Sequence, residues 1–275
     1  MNEPAQSTIW LTPAINGLST IAVGSESQDV LNRSGDDLRI DWGHLYVAAS
    51  NEQKPVWKSH QLQLNMNSVG DAGVSRWLMV AYDDEYSIQY MKENLRPYWR
   101  RNGWEASDLL QAAAKRYDEI LNRRQAFDEE LMADLRKAGG DDYANLSALC
   151  YRQCFAAGKF VADRNGQPLQ FSKENHSNGC IATSDVFYPM APQFLLFGPS
   201  LAKSFVVPFM NYAASDRWTF PFAPHDLEQY PLANGQVYGG GERSAENQMR
   251  VEECGNLLLL IAAIAQLKGN IVFLG

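Results

Sequence analysis

The alternation of apolar and polar positions changes character once along the chain. In the N-terminal part it is typical of β-strands, since residues 40–48 are rich in aromatic and β-branched side chains and residues 61–66 alternate strictly. A further apolar run, residues 77–82, stops at three consecutive acidic residues. The pattern predicts a β-rich module with its linker over residues 1–75 and a domain of helices over residues 76–275.

In the second part, apolar residues recur every three or four positions, as they do on helices. One such pattern ends at Gly139-Gly140, and Asp141 begins another that continues through Val161. Two shorter helices are predicted between residues 187 and 212, where prolines interrupt the pattern. The last predicted helix, residues 246–267, is apolar nearly all round and is expected to be enclosed by other helices.

Composition and charge exclude several classes of protein. Of the 275 residues, 45% are hydrophobic and 20% are charged, which is typical of a packed globular protein. Lys and Arg total 24 against 32 Asp and Glu, and the net charge of -8 argues against binding to nucleic acid. The longest apolar run, Leu257 to Ala265, is about half of the roughly 20 residues that a membrane span requires. We therefore expect no membrane span.

Two further classes of motif are absent from the sequence. The glycines at 239–241 lack the spacing of a dinucleotide fingerprint, and no phosphate-binding GxxxxGK[ST] motif occurs, so we expect no cofactor. No spacing of His, Cys, Asp and Glu specifies a metal, so no metal ligands are predicted. The N-terminal segment MNEPAQSTIW lacks the basic stretch followed by an apolar stretch that a secretory signal requires. The compartment is left open.

Carboxylates are the strongest candidates for chemistry. Hydrolysis of an amide or a glycoside requires activated water or a nucleophile, an acid for the leaving group, and groups that hold the substrate. Asp84 follows a predicted strand, and Glu252 opens the last helix, although in both places a charge that favours a helix start is an alternative interpretation. The candidate catalytic residues are Asp84, Glu174, Asp185 and Glu252.

Polar and aromatic loops supply candidate groups for binding the substrate. Lys173 offers a cation for a carboxylate, Asp185 offers an anion for an ammonium group, and aromatic residues offer either core or a surface for a sugar ring. His225, which is next to Asp226, has three interpretations: a general base, a metal ligand, or a histidine that is hydrogen-bonded within its own loop. The candidate substrate-binding residues are Asp83, Arg96, Trp99, Lys173, Asn175, Asn178, Trp218, His225, Asp226, Tyr238, Glu242 and Glu253.

Five segments closely resemble the central helical domain of the glutaminase A family, which is known from fungi and bacteria. Two of them, AYDDEYSIQY from Ala81 and NLRPYWRRNG from Asn94, precede the helical pattern. The other three are FSKENHSNGC from Phe171, RWTFPFAPHDLEQYPLANGQVYGGGE from Arg217 and QMRVEECGN from Gln248. The resemblance extends from about residue 77 to residue 267, and residues 41–46 resemble the end of the family's preceding β-sandwich.

The resemblance implies a β-sandwich followed by an α/α toroid of the six-hairpin kind. For this chain it implies a mainly α fold with a small N-terminal β module and only part of the toroid, which a partner chain or missing sequence would complete. Members of the family are often exported. The implied activity is hydrolysis of the side-chain amide of L-glutamine to glutamate and ammonia.

Two other functions stay open beside the implied glutaminase. Six-hairpin toroids are shared with many glycoside hydrolases, and fold alone does not determine function. A carbohydrate-active hydrolase with paired carboxylates is therefore one alternative, with a saccharide instead of glutamine as the small-molecule substrate. A non-catalytic binding fragment is the other.

Overall fold

The computed structural model describes residues 8–35, 40–58, 61–64, 71, 73–174 and 177–269. The chain divides into two compact units whose segments interleave in sequence. The first unit comprises Met1–Val30, Ile40–Glu85 and Asn102–Leu131; the second comprises Leu31–Arg39, Tyr86–Arg101 and Met132–Gly275. The domain boundary that the sequence predicts near residue 75 stays a prediction. None of the described helices combines the length and the apolar character that a membrane span requires.

A four-stranded antiparallel sheet forms the centre of the first unit. Its strands, in spatial order, are β1 (Thr8–Leu11), β2 (Leu18–Ser25), β3 (His44–Ser50) and β6 (Met79–Asp83). The predicted strand patterns over residues 40–48 and 77–82 correspond to β3 and β6. Strands β4 (Val56–Lys58) and β5 (Gln61–Gln63) form a short hairpin. Strand β5 corresponds to the start of the alternating segment 61–66, whose last two residues lie outside the described residues.

The core of the first unit lies between the sheet and helix α1 (Ala106–Lys115). Leu110 is buried together with Ile15, Leu18 and Ala48. Within α1, Ala106 and Leu110 are four residues apart and are both buried, so a single stripe of this amphipathic helix forms the contact.

Two small sheets support the loops of the second unit. One contains β7 (Ile88–Tyr90), β8 (Glu93–Leu95) and the two-residue strand β11 (Leu232–Ala233), with β7 in the middle. The other is the antiparallel hairpin of β9 (Gly158–Ala162) and β10 (Pro168–Ser172). Both sheets end beside loops that carry predicted site residues.

Three helices enclose the apolar core of the second unit. They are α3 (Ser184–Phe197), α4 (Pro199–Ala213) and α5 (Arg250–Lys268), and each packs against the other two. The two predicted helices between residues 187 and 212 are confirmed as α3 and α4, which meet at Gly198. The buried core consists of Phe187, Ala191, Phe194, Ala202, Phe205, Val206, Phe209, Leu257, Leu260, Ile261 and Ile264.

Helix α2 (Tyr117–Ala156) is interrupted where the sequence predicts a stop. Gly140 has φ of 81° and ψ of -175°, which is far from helical geometry and which only glycine adopts readily. The predicted interruption at Gly139-Gly140 is therefore confirmed.

Two details of the helix predictions are wrong. The helix predicted to continue through Val161 ends at Ala156, because residues 158–162 pair with β10 as strand β9. Gly158 permits this pairing, since a Cβ at that position would lie 2.4 Å from the carbonyl oxygen of Phe171. Helix α5 is also not enclosed by other helices, because one of its faces is exposed in this chain, including Leu258 and Leu259.

The mainly α fold class with a small N-terminal β module is confirmed. Extended structure dominates the described residues before position 100, and the longer helices follow it. The helical part also contains the β9–β10 hairpin, which carries the chain into the loop that begins at Lys173.

Candidate functional site

Two loops that are distant in sequence are held side by side by a short antiparallel ladder. The backbone N–H of Ile181 donates to the carbonyl of Glu228 at 2.8 Å, and the N–H of Leu227 donates to the carbonyl of Ile181 at 3.0 Å. The N–H of Ser184, the first residue of α3, donates to the carbonyl of His225 at 3.0 Å. The ladder therefore positions His225 beside the first turn of α3.

Three side chains converge at this point, and each comes from a different segment. Asp185 lies in the first turn of α3, Glu253 lies in the first turn of α5, and His225 lies in the intervening loop. Nε2 of His225 is 4.0 Å from Oδ2 of Asp185 and 3.7 Å from Oε1 of Glu253. No two of the three donor atoms are more than 4.8 Å apart. We call these three residues the carboxylate–histidine cluster.

Asp226 orients the imidazole of the cluster. Its Oδ2 lies 3.2 Å from Nδ1 of His225. The Asp226 side chain is completely buried and accepts hydrogen bonds from the backbone N–H groups of Glu228 (2.9 Å), Val237 (3.1 Å) and Tyr238 (3.1 Å). Because an ionised carboxylate can only accept, Nδ1 of His225 is the donor in this pair and Nε2 faces the cluster.

Two further residues restrain His225. The ring of Tyr238 stacks on the imidazole with centroids 4.0 Å apart and an interplanar angle of 16°. Oε1 of Gln236 accepts a hydrogen bond from the backbone N–H of His225 at 2.6 Å. The histidine is thus held at its backbone, on one ring face and at Nδ1, so that only small movements of Nε2 are expected.

Glu253 reaches the cluster because it lies on the buried face of α5. Leu257, Leu260 and Ile264 follow it by four, seven and eleven residues, and all are buried in the helical core. The hydroxyl of Ser184 donates to Oε2 of Glu253. Among the described residues, neither Oε1 of Glu253 nor Oδ1 of Asp185 has a hydrogen-bond partner, although both atoms are buried.

The proximity of these charges changes proton affinities. Burial raises the pKa of Glu253 to about 7; the hydrogen bond from Ser184 and the charge of His225 oppose this shift, while the charge of Asp185 adds to it. For His225, burial disfavours the charged form, but the hydrogen bond and charge of Asp226, with those of Glu253 and Asp185, raise its pKa above the usual value. The cluster is therefore a largely buried group in which carboxylates outnumber the imidazole.

Glu174 belongs to the same region as the cluster. Burial raises the pKa of the Cys180 thiol, and the charges of Asp226, Glu174 and Asp185 raise it further. These carboxylates are therefore close to the thiol and keep it protonated, which argues against Cys180 as a nucleophile. Oε2 of Glu174 is buried and has no hydrogen-bond partner in the described part of the chain.

Other predicted acidic residues lie apart from the cluster or in the first unit. Glu252 is exposed on α5, next to the buried Glu253. Asp83 and Asp84 are buried in the first unit, at the end of β6. Oδ1 of Asp83 accepts from the backbone N–H of Glu85 at 3.0 Å, and the carbonyl of Asp84 accepts from Nε1 of Trp42 at 2.9 Å.

The predicted aromatic residues mainly contact other parts of the chain. Trp218 is buried, its Nε1 donates to the carbonyl of Phe222 at 2.6 Å, and its ring contacts Phe220 and Phe222. The guanidinium of Arg100 lies 4.5 Å from the ring centroid of the half-buried Trp99. Arg96 is half-buried in the same segment. Of the predicted aromatic residues, Tyr238 is the one that contacts the cluster.

The remaining predicted substrate-binding residues lie on loops of the second unit or outside the described residues. Lys173 and Asn178 lie on the segment after β10, where Oδ1 of Asn178 accepts from the N–H of Cys180 at 2.8 Å. Glu242 lines a polar cleft of 640 Å³ in the second unit and pairs with Arg217 at 2.7 Å. The predicted substrate-binding residue Asn175 lies outside the described residues, so its prediction is unchanged.

Comparison with known proteins identifies the family of the chain. The family model described as the glutaminase A six helical-hairpin domain matches residues 140–275, and a model described as a domain of unknown function matches residues 57–134. Glutaminase A from Aspergillus oryzae is 34% identical over 140 residues, which are 50% of this chain and 19% of that protein. The chain belongs to the glutaminase A family. The resemblance that its motifs predict is thereby confirmed.

A second relative of the chain, from Arthroderma benhamiae, is named a probable glutaminase. It is 29% identical over 167 residues, which are 60% of this chain and 19% of that protein. The matched region thus spans about a fifth of the length of each curated relative. No solved structure matches the chain.

Two site features of this family member were missed from the sequence. Ser184, which donates a hydrogen bond to Glu253, is not among the predicted site residues, although Thr183-Ser184-Asp185 before an apolar run is a recognisable helix start. The sequence predicts that Glu253 binds substrate and that Glu252 is catalytic, and both roles stay predictions; the structure shows that Glu253 is the buried one of the two. The three-to-four-residue spacing from Glu253 to Leu257 and Leu260 is the signal that places Glu253 on the buried face.

Proposed function

We propose that this chain is a hydrolase that cleaves the side-chain amide of L-glutamine, with the carboxylate–histidine cluster as its reacting centre. The observation that carries the proposal is the convergence of Asp185 and Glu253 on Nε2 of His225, at 4.0 and 3.7 Å. An imidazole oriented by a buried carboxylate and adjacent to further carboxylates is suited to handling the protons of an amide hydrolysis. The printed names of both relatives, glutaminase A and probable glutaminase, support the choice of substrate.

The reaction adds water across the amide bond. The oxygen of water forms a bond to the side-chain carbonyl carbon, and the bond from that carbon to nitrogen breaks. The nitrogen takes a proton from water and leaves as ammonia, and the new carboxylic acid ionises to give glutamate. In our proposal the cluster orients the water and takes part in this proton transfer, while Asp226 is a positioning residue that keeps Nε2 of His225 directed at the cluster.

The loop after β10 is proposed to bind the two charged groups of the amino acid. Lys173 is suited to the α-carboxylate of glutamine, and Glu174, whose buried Oε2 lacks a hydrogen-bond partner within the described ranges, is suited to the α-ammonium group. Both residues precede the ladder that positions His225, so the substrate would lie across the end of β10. This arrangement would favour a free amino acid over a neutral amide.

The test is release of ammonia by the purified 275-residue chain. L-Glutamine is compared with L-asparagine and with a simple amide that has no charged groups. We expect turnover of L-glutamine that Asp226→Asn lowers by about 100-fold or more, because the imidazole loses its orienting partner. Asp216→Asn, which changes an exposed residue of the same unit in the same way, is the control. A folded chain that releases no ammonia from glutamine would contradict the proposal.

A carbohydrate-active hydrolase is the second candidate, and one distance favours it. The donor atoms of Asp185 and Glu253 are no more than 4.8 Å apart, which is below the roughly 6.5 to 9.5 Å between carboxylates of inverting glycosidases and nearer to the roughly 5 to 5.5 Å of retaining ones. Aryl glycosides added to the substrate panel separate the two candidates. Hydrolysis of a glycoside that Glu253→Gln abolishes, without turnover of glutamine, would favour the second. A folded chain that acts on neither substrate would favour the non-catalytic alternative.

A further inference from the structure

We propose that Asp185, His225 and Glu253 bind a divalent metal ion of the borderline class, such as Zn²⁺ or Mn²⁺. The inference rests on the proposed function in one respect, since the ion would act at the same reacting centre. Imidazole nitrogen and carboxylate oxygen are both ligands of these ions, and a site with three protein ligands leaves a position for water or substrate. A metal at this position would activate water for attack on an amide carbon.

The separations between the donor atoms suit a single ion. Two donors that each bind zinc at about 2.0 to 2.2 Å can be at most about 4.3 Å apart. The separations of 3.7 and 4.0 Å from Nε2 of His225 lie within this limit. The two carboxylate oxygens are no more than 4.8 Å apart. Asp185, whose side chain is 29% exposed, can rotate to close the remaining gap.

The hydrogen bonds behind the cluster are those of a metal-binding histidine. Ligating histidines almost always donate their other ring N–H to a carboxylate, a backbone carbonyl or water, which sets the tautomer and directs the free nitrogen at the ion. Asp226 takes this role for His225 at 3.2 Å and is itself held by three backbone N–H groups. The orientation of Nε2 therefore comes from the loop that carries His225 and does not depend on the metal.

Unused oxygen atoms are the independent observation that points to a ligand. Oε1 of Glu253 and Oδ1 of Asp185 are buried without a hydrogen-bond partner among the residues that the structure describes. The side chain of Glu253 is only 1% exposed, and its Oε1 faces His225. A buried carboxylate oxygen without a hydrogen-bond donor is unfavourable, and a bound metal ion would satisfy it.

The charge balance also favours a cation. Asp185, Asp226 and Glu253 all approach one imidazole, and His225 is their ion-pair partner among the described residues. One singly charged imidazolium cannot balance three carboxylates. A divalent ion would add two positive charges at the point where these side chains meet.

The test is calorimetric titration of the chain with ZnCl₂ and MnCl₂ after treatment with EDTA and dialysis, with MgCl₂ and CaCl₂ as further arms. We expect a single ion per chain, with Zn²⁺ or Mn²⁺ bound more tightly than Mg²⁺ or Ca²⁺. Cys150 and Cys154, one helical turn apart on α2, could also bind zinc. The double variant Cys150→Ser/Cys154→Ser therefore serves as the background for all titrations.

Variants in this background identify the ligands. Asp226→Asn is expected to weaken binding by about 10- to 100-fold, as loss of a partner behind a ligating histidine does. Glu253→Gln and Asp185→Asn remove a ligand and are expected to weaken binding further. Glu246→Gln changes an exposed residue and should leave binding unchanged. Circular dichroism and thermal unfolding, measured for every variant, identify any that fails to fold. If Glu253→Gln does not fold, Asp185→Asn still tests the site, because Asp185 is less buried than Glu253.

Each outcome is decisive. No binding by the folded chain, or equal binding by the Glu246→Gln, Glu253→Gln and Asp185→Asn variants, would overturn the metal site. Glutamine turnover that survives EDTA in a chain without bound metal would overturn the role of the ion in the reaction, while leaving the proposed function intact. Metal binding that depends on Glu253 and Asp185, without release of ammonia, would support the site and contradict the proposed function.

Discussion

Two pairs of acidic residues, one in each unit, have different surroundings. In the first unit, Asp83 and Asp84 end strand β6, and hydrogen bonds link them to the backbone N–H of Glu85 and the indole of Trp42. In the second unit, Asp185 and Glu253 begin two helices and face an imidazole, with oxygen atoms that lack donors among the described residues. Burial of a carboxylate alone therefore does not distinguish a structural role from a chemical one.

Close backbone packing characterises the acidic pair of the first unit. Gly43 has φ of +85°, and a Cβ at that position would lie 2.3 Å from the carbonyl oxygen of Asp83. The hydroxyl of Tyr82 donates to the carbonyl of Trp42, the residue whose indole bonds Asp84. These contacts lock the end of β6 against the turn before β3. The cluster of the second unit, in contrast, depends on side chains that meet across loops.

The largest expected effect separates the two pairs by activity. Glu253→Gln is expected to lower kcat/KM for glutamine by about 10²- to 10⁴-fold in a folded chain, because a group that takes part in proton transfer or metal binding is lost. Asp84→Asn is expected to lower it by less than about tenfold, since Asp84 is not one of the three residues of the carboxylate–histidine cluster. Steady-state ammonia release, normalised to folded protein, measures both.

Two outcomes of this experiment would change the comparison. A loss for Asp84→Asn as large as that for Glu253→Gln would show that the acidic residues of both units serve the reaction, as the sequence predicts for Asp84. Glu252→Gln is measured in the same assay as a third variant. A larger loss for Glu252→Gln than for Glu253→Gln would assign the catalytic role to the exposed glutamate, again as the sequence predicts.

The next effect concerns the stability of the first unit. Gly43→Ala is expected to destabilise the chain by about 2 to 3 kcal/mol, because the added Cβ meets the backbone of Asp83 at a positive φ. Gly103→Ala is the matched control: its φ is +80°, but a Cβ there has no described neighbour within 4 Å, so only about 1 kcal/mol is expected. Urea unfolding measures both variants, and equal losses would show that close packing at Gly43 contributes nothing.

The smallest expected effect comes from one hydroxyl group. Tyr82→Phe removes the hydrogen bond to the carbonyl of Trp42 and is expected to destabilise the chain by about 0.5 to 1.5 kcal/mol. Tyr143→Phe, on exposed α2, should change stability by less than about 0.5 kcal/mol. Thermal unfolding of the two variants tests this difference. If Tyr82→Phe behaves like Tyr143→Phe, the contacts around Trp42 do not stabilise the end of β6.

Much of the fold and part of the candidate site are readable from the chain. Gly198 and Pro199 mark the boundary between α3 and α4 because these residues act locally on backbone geometry, and Gly140 interrupts α2 for the same reason. The adjacency of His225 and Asp226 is visible in the sequence, as are the motifs that indicate the glutaminase A family. In all these cases the physical cause lies within a few residues of the position concerned.

Tertiary structure decided what depends on contacts between distant segments. Pairing with β10 made residues 158–162 a strand instead of the end of a helix, since hydrogen bonds to a partner strand outweigh local helical periodicity. Packing of α5 against α3 and α4 buried Glu253 and left Glu252 exposed. The meeting of Asp185, His225 and Glu253 required the ladder between two loops, because separations of 40 and 28 residues along a chain do not determine a distance in space.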